Sequence, residues 1–203
     1  MHRGRSLSNL AALFVAAGLL LGLPVQAQRG GLAAPQTLVD LVDRAGVIVQ
    51  GQVVLAHVEP HPDFPSLTSV VVTLRVKETL KGQAGDTFTF RQYVWDLRDR
   101  YSAAGYQKGS EVVLFLTPPS DVGLSSPVGL GQGRFRIVRD EKGNEYLMNE
   151  TGNRGLFRNV RSALQTRGVA ITDEQRDWIE GQRGGPVAFQ ALRELVRQIA
   201  EKN

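Results

Sequence analysis

Between Ser69 and Lys77 the chain alternates. Val70, Val72, Leu74 and Val76 form one set, and Ser69, Val71, Thr73, Arg75 and Lys77 form a second, mostly polar set. A period of two sends the sets to opposite faces of a strand. A strand apolar on one face needs neighbouring strands and a cover for that face, so this segment commits the chain to a sheet. Other segments supply the neighbours. Val47, Val49, Val53 and Leu55 share one face, and Gly51 inside that run marks a bulge or sharp bend. Thr87 to Tyr93 places Phe88 and Phe90 on a third strand. Val112 to Leu116 is a continuous apolar run suited to burial on both faces. Val128 to Val138 reads as a glycine-interrupted strand with Phe135 and Ile137 inward, turned by Asp140–Gly143 into a partner at 144–148. Residues 59–66 hold Pro60, Pro62 and Pro65 and read as a loop. Five or six short strands bending at glycine predict a small antiparallel OB-like β-barrel, closed or partly closed, in a mainly β chain.

Helices flank the strands. Thr37 and Asp40 stand three apart like a capping box before Leu38, Leu41, Val42 and Ala45, so a short helix is expected near 37–45, stopped at Gly46. After residue 150 the period changes from two to helical. Phe157, Val160 and Leu164 fall on one face. Thr172–Gln175 is a second capping box. Phe189, Leu192, Leu195, Val196 and Ile199 form an apolar stripe after Gly184-Gly185-Pro186, with Pro186 suited to a first helical turn. The mixed charge on that helix's other face predicts packing on the barrel, not on a membrane. The organisation read from this is a signal peptide at 1–27, a flexible leader at 28–36, the OB-like barrel at 37–150 and a helical extension at 151–203.

The leader carries the compartment. Arg3 and Arg5 precede an unbroken apolar run from Leu10 to Leu23, and Pro24 and Val25-Gln26-Ala27 follow with small residues suited to cleavage. That run is shorter than the roughly 20 residues of a spanning helix, so a cleaved export signal is expected, with no transmembrane helix left afterwards. The expected location is the periplasm or the extracellular space. The chain has no cysteine. This excludes disulfides, thiolate metal sites, cysteine nucleophiles and a cysteine-linked lipid anchor. The net charge of +4 includes the two leader arginines. The basic residues that remain are dispersed, so no nucleic-acid footprint is visible.

One resemblance spans Leu38 to Met148. It rests on Arg44-Ala45-Gly46-Val47-Ile48-Val49-Gln50-Gly51-Gln52-Val53-Val54 after a helix, then Val72-Thr73-Leu74-Arg75-Val76-Lys77-Glu78-Thr79-Leu80-Lys81-Gly82. It continues through Lys108-Gly109-Ser110-Glu111-Val112-Val113-Leu114-Phe115-Leu116 and Gly129-Leu130-Gly131-Gln132-Gly133-Arg134-Phe135. This pattern resembles an exported bacterial domain similar to the netrin-like modules of tissue inhibitors of metalloproteinases. The resemblance implies an OB-type barrel and a binding role. Those inhibitors chelate the protease metal through an N-terminal cysteine. This chain has none, so the resemblance carries over neither inhibition nor any site residue.

Several groups could carry chemistry. His57, His61 and Asp63 have the donor types of a divalent-metal site, but Pro60 and Pro62 keep the histidines off a common helix face, and an ordinary loop-edge pair is the plainer reading. Ser125 and Ser126 lack the G-x-S-x-G setting of a hydrolase nucleophile. Asp96 and Asp99 are interleaved with Arg98 and Arg100, which holds both acids ionised. Gly129-x-Gly131-x-Gly133 misses the dinucleotide spacing and reads as strand bulges. Asn149-Glu150-Thr151 fits a glycosylation sequon. The segment from Tyr93 to Tyr106 gathers Tyr93, Trp95, Arg98, Arg100, Tyr101 and Tyr106, residue types that dominate interface hot spots. The expectation is an exported, non-enzymatic binding domain using this segment, with no cofactor and with an exported protein or a glycan as partner. The alternatives are a protease-inhibitor-like protein without the chelating cysteine, and a metal-dependent hydrolase at His57, His61 and Asp63.

Overall fold

The computed structural model describes residues 33–96 and 103–202. The signal peptide at 1–27, residues 28–32 of the leader, Arg98, Asp99, Arg100 and Tyr101 lie outside the described residues. Helix α1 (Leu38–Arg44) starts at the expected capping box: the Asp40 N–H donates to Thr37 Oγ1 at 3.2 Å, and the Thr37 N–H donates to Asp40 Oδ2 at 2.8 Å. These bonds satisfy backbone donors that the first turn leaves orphaned. Leu38, Val39, Leu41 and Val42 are buried. The helix stops because the chain enters the sheet at once, with the Gly46 N–H donating to the Leu116 carbonyl at 2.8 Å.

Seven strands follow: β1 (Val47–Pro60), β2 (Thr68–Lys81), β3 (Thr87–Tyr93), β4 (Glu111–Leu116), β5 (Arg134–Arg139), β6 (Glu145–Asn149) and β7 (Val187–Ala188). They make one antiparallel sheet in the order β3-β2-β1-β4-β5-β6-β7. Three more helices, α2 (Val160–Thr166), α3 (Asp173–Gly181) and α4 (Phe189–Ala200), join the same compact unit, Leu32–Asn203. The class is therefore mixed α/β, not mainly β.

The sheet is open and the described strands form no closed barrel, where a closed or partly closed one is expected from the sequence. Among the described residues the chain after β4 makes only two isolated bridges: Arg91 of β3 with Leu124 in parallel, and Leu116 of β4 with Pro127 in antiparallel. Pro118, Pro119 and Pro127 remove the N–H groups that a continuous ladder there would need. Residues 128–133 are also not the expected strand. Gly129 and Leu130 take φ of 62° and 59°, and Leu130–Gly133 winds into a 3₁₀ turn. A Cβ on Gly133 would lie 2.6 Å from the Val128 carbonyl oxygen, so glycine is what lets this turn close.

The predicted bulge at Gly51 is present. The β1–β2 register shifts between Gln50 and Gly51 and again between Val53 and Leu55. A Cβ on Gly51 would meet the Arg75 carbonyl oxygen at 2.8 Å. Because bulges reset alternation, Leu55 leaves the apolar face and stands exposed.

Both faces of the sheet carry a core. On one, Ile48, Val113, Phe115, Phe135 and Leu147 pack with α1 and the three later helices. On the other, Val49, Val53, Val70, Val72, Leu74, Phe90, Val112, Leu114 and Leu116 pack on one another and on Val94, Ala104 and Tyr106. Strand β4 feeds both, as its unbroken apolar run predicts. The whole predicted stripe of α4 is buried. Arg193 and Arg197 on the same helix pair with Glu78 of β2. The helix begins at Phe189 and not at Pro186, because Val187 and Ala188 first extend the sheet beside β6. Among the described residues no helix is long and apolar enough to cross a membrane.

Candidate functional site at one end of the sheet

Three segments meet at one end of the sheet. They are the β1–β2 loop (61–67), the end of β3 with residues 94–96, and the loop that follows β4. The Val94 N–H donates to the Thr68 carbonyl at 3.0 Å, which fixes the end of β3 against the start of β2. The Ser125 N–H donates to the Arg91 carbonyl at 2.8 Å, tying the loop after β4 to β3.

His61 joins the first and third segments. It is buried. Its Nδ1 accepts the Asp63 N–H at 3.2 Å, so the proton sits on Nε2, which donates to the Val122 carbonyl at 2.8 Å. The ring lies 5.3 Å from that of Phe64. His57 is exposed and pairs with Glu59 at 2.9 Å. The expected ligands are therefore not gathered into one site. Both His61 nitrogens are engaged by backbone, and His57 turns to a different partner. Among the described residues no group of three or more His, Cys, Asp or Glu is placed to hold a metal.

Glu59 also pairs with Arg91 at 2.7 Å, and the Arg91 guanidinium reaches Ser69 Oγ at 2.8 Å. Arg91 first, and His57 after it, holds the Glu59 carboxyl below its ordinary range. Sequence reading missed Arg91, because its partners come from β1 and β2 and only register brings them together.

Among the described aromatic residues of the set, Trp95 is the open one. It is 74% exposed, and the Tyr93 ring stands edge-on to it at 4.9 Å and 90°. Among the described residues, Phe64 and Val122 are the other large apolar side chains exposed at this end. Phe64 had a sequence signal. It lies between Asp63 and Pro65 in a proline-broken loop, where no period assigns it to a core.

Tyr106 corrects the expected ligand-binding set. It is buried, donates to Gln92 Oε1 at 2.8 Å, packs edge-on to Phe90 at 5.7 Å and lies under the Arg134 guanidinium at 4.8 Å. Burial pushes its hydroxyl up to about 12. It supports the core and presents no face to a ligand.

The remaining candidates have structural duties. Ser125 is buried and donates from Oγ to the Thr117 carbonyl at 2.7 Å, so no base faces it. The sequon Asn149 is buried, and its Nδ2 donates to the Gln132 carbonyl at 3.0 Å. A cleft of about 340 Å³ is lined by Phe88, Phe90 and Arg91 of β3, Leu116 of β4 and Ser125 of the loop after it, among others. The chain matches no family model, no curated protein and no solved structure.

Proposed function

We propose that this protein is an exported binding module that recognises a protein or glycan through the sheet end carrying Trp95. The observation that carries the reading is the indole itself, left 74% exposed and held edge-on by Tyr93. Large exposed aromatics cost solvation and are concentrated where partners bind. Phe64 and Val122 widen the apolar surface, and Glu59, Arg91 and His57 supply a polar group nearby.

An OB-like reading of the β half fits the same place. OB domains are partly open five-stranded barrels that bind through the β1–β2 loop, the β4–β5 loop and the face of strands 2 and 3. Here the β1–β2 and β4–β5 loops are joined by the His61–Val122 hydrogen bond. The segment at 124–127 bridges β3 in parallel and β4 in antiparallel, where a closing strand would run. The reading of residues 1–27 as an export signal supports a partner outside the cytoplasm, and dispersed charge favours a protein or glycan over nucleic acid.

Affinity capture from the exported fraction of the native host, together with a glycan array, tests the reading. A partner held by wild-type protein and released by Trp95→Ala and Phe64→Ala variants supports it. Retention that ignores both substitutions overturns it.

A further inference from the structure

A second concave site lies away from the Trp95 end, between the turn leading into α2 and the end of α3. It encloses about 520 Å³, within the usual range for small-molecule sites. Its apolar lining is Phe157, Val160 and Ile179, all buried, with Phe157 braced edge-on by Trp178 at 5.1 Å. Its charged lining is Arg158, Arg161, Arg183 and one acid, Glu180.

Positive charge therefore exceeds negative in the groove. Arg161 pairs with Glu180, but the two side chains are 54% and 48% exposed, and an ion pair in that much water contributes little and exchanges readily. Arg183 donates through Nη1 to the Glu180 and Gln182 carbonyls. These bonds anchor the side chain and leave Nη2 and Nε for another acceptor. Arg158 is exposed, and among the described residues no carboxylate pairs with it. Guanidinium forks match carboxylate and phosphate oxygens two at a time.

We propose that this groove binds a small organic anion, with its phosphate or carboxylate on Arg158, Arg161 and Arg183 and its apolar body against the small exposed part of Phe157 and the arginine stems, above the buried Val160 and Ile179. The proposal is independent of the Trp95 surface, since the two sites share no residue.

Titration of ¹⁵N-labelled exported protein with phenyl phosphate, inorganic phosphate and phenol, followed by amide shifts, tests it. The expected result is saturable shifts at residues 153–161 and 179–183 with phenyl phosphate. Binding should be at least about ten-fold tighter than for inorganic phosphate, and phenol should give no saturation. An Arg158→Gln/Arg183→Gln variant, altered only at exposed positions, should keep the fold and weaken phenyl phosphate by about ten-fold or more. Shifts that do not saturate, that spread over arginines elsewhere, or that survive in the double variant would overturn the proposal. With saturation established, phosphatidylglycerol vesicles distinguish the source of the anion. Sedimentation with them that depends on Arg158 and Arg183, and is absent with phosphatidylcholine, assigns a lipid headgroup. No sedimentation assigns a soluble anion.

Discussion

Asn149 and Asn153 hold each other through reciprocal bonds. The Asn149 N–H donates to Asn153 Oδ1 at 3.0 Å, and the Asn153 N–H donates to Asn149 Oδ1 at 2.7 Å. Asn153 Nδ2 then reaches the Leu147 and Gly185 carbonyls, both at 2.8 Å. One buried side chain thus ties β6 to the segment that leads into β7 and α4. Asn153 also sits at φ 58°, a left-handed conformation asparagine tolerates better than most residues.

Asn153→Ala should therefore destabilise the protein by about 3 kcal/mol, from buried partners left unsatisfied and from backbone strain. Asn153→Gly separates the two causes. It relieves the strain and should still lose most of the stability. Urea denaturation of the three proteins checks this.

Gly51→Ala should cost about 1–3 kcal/mol, because the new methyl would press on the Arg75 carbonyl oxygen at 2.8 Å and strain the bulge. The same denaturation measurement reads it. A neutral result would mean that β1 can shift there without loss.

Much of this fold was legible in the sequence where one local rule decided the outcome. The capping boxes at Thr37 and Thr172 start helices, the stripe from Phe189 to Ile199 is buried, and Val112–Leu116 serves both cores. Reading failed where distant backbone decided. Period puts Leu55 on one face with Val47, Val49 and Val53, but a register shift turns it out. Val187 has the neighbours of a helix start, yet pairs with Leu147 of β6. At the candidate site, composition points to Trp95 and Tyr93, and the structure brings their rings together edge-on. Tyr106 was misassigned because Gln92 and Arg134, which bury it, lie on other strands.

Glu111 gives a pH prediction. It pairs with Lys77 at 2.6 Å and Arg139 at 2.7 Å. Lys77 above all, then Arg139, holds its carboxyl below the ordinary value of 4.5. A carboxyl depressed in the folded state stabilises it above the unfolded value and loses that contribution as pH falls through the folded value. The stability difference between wild type and Glu111→Gln should therefore be constant near neutrality and shrink below about pH 4.5. Denaturation at a series of pH values checks the direction. A difference that grows on acidification would contradict it.

The central claim is that the exposed indole is a recognition element. The most direct test is the affinity of the captured partner for wild-type and Trp95→Ala protein by titration calorimetry, with unfolding midpoints measured alongside. The account predicts a loss of about 2 kcal/mol or more in binding, roughly 30-fold in Kd, at an unchanged midpoint. Equal affinity for the two folded proteins would contradict it.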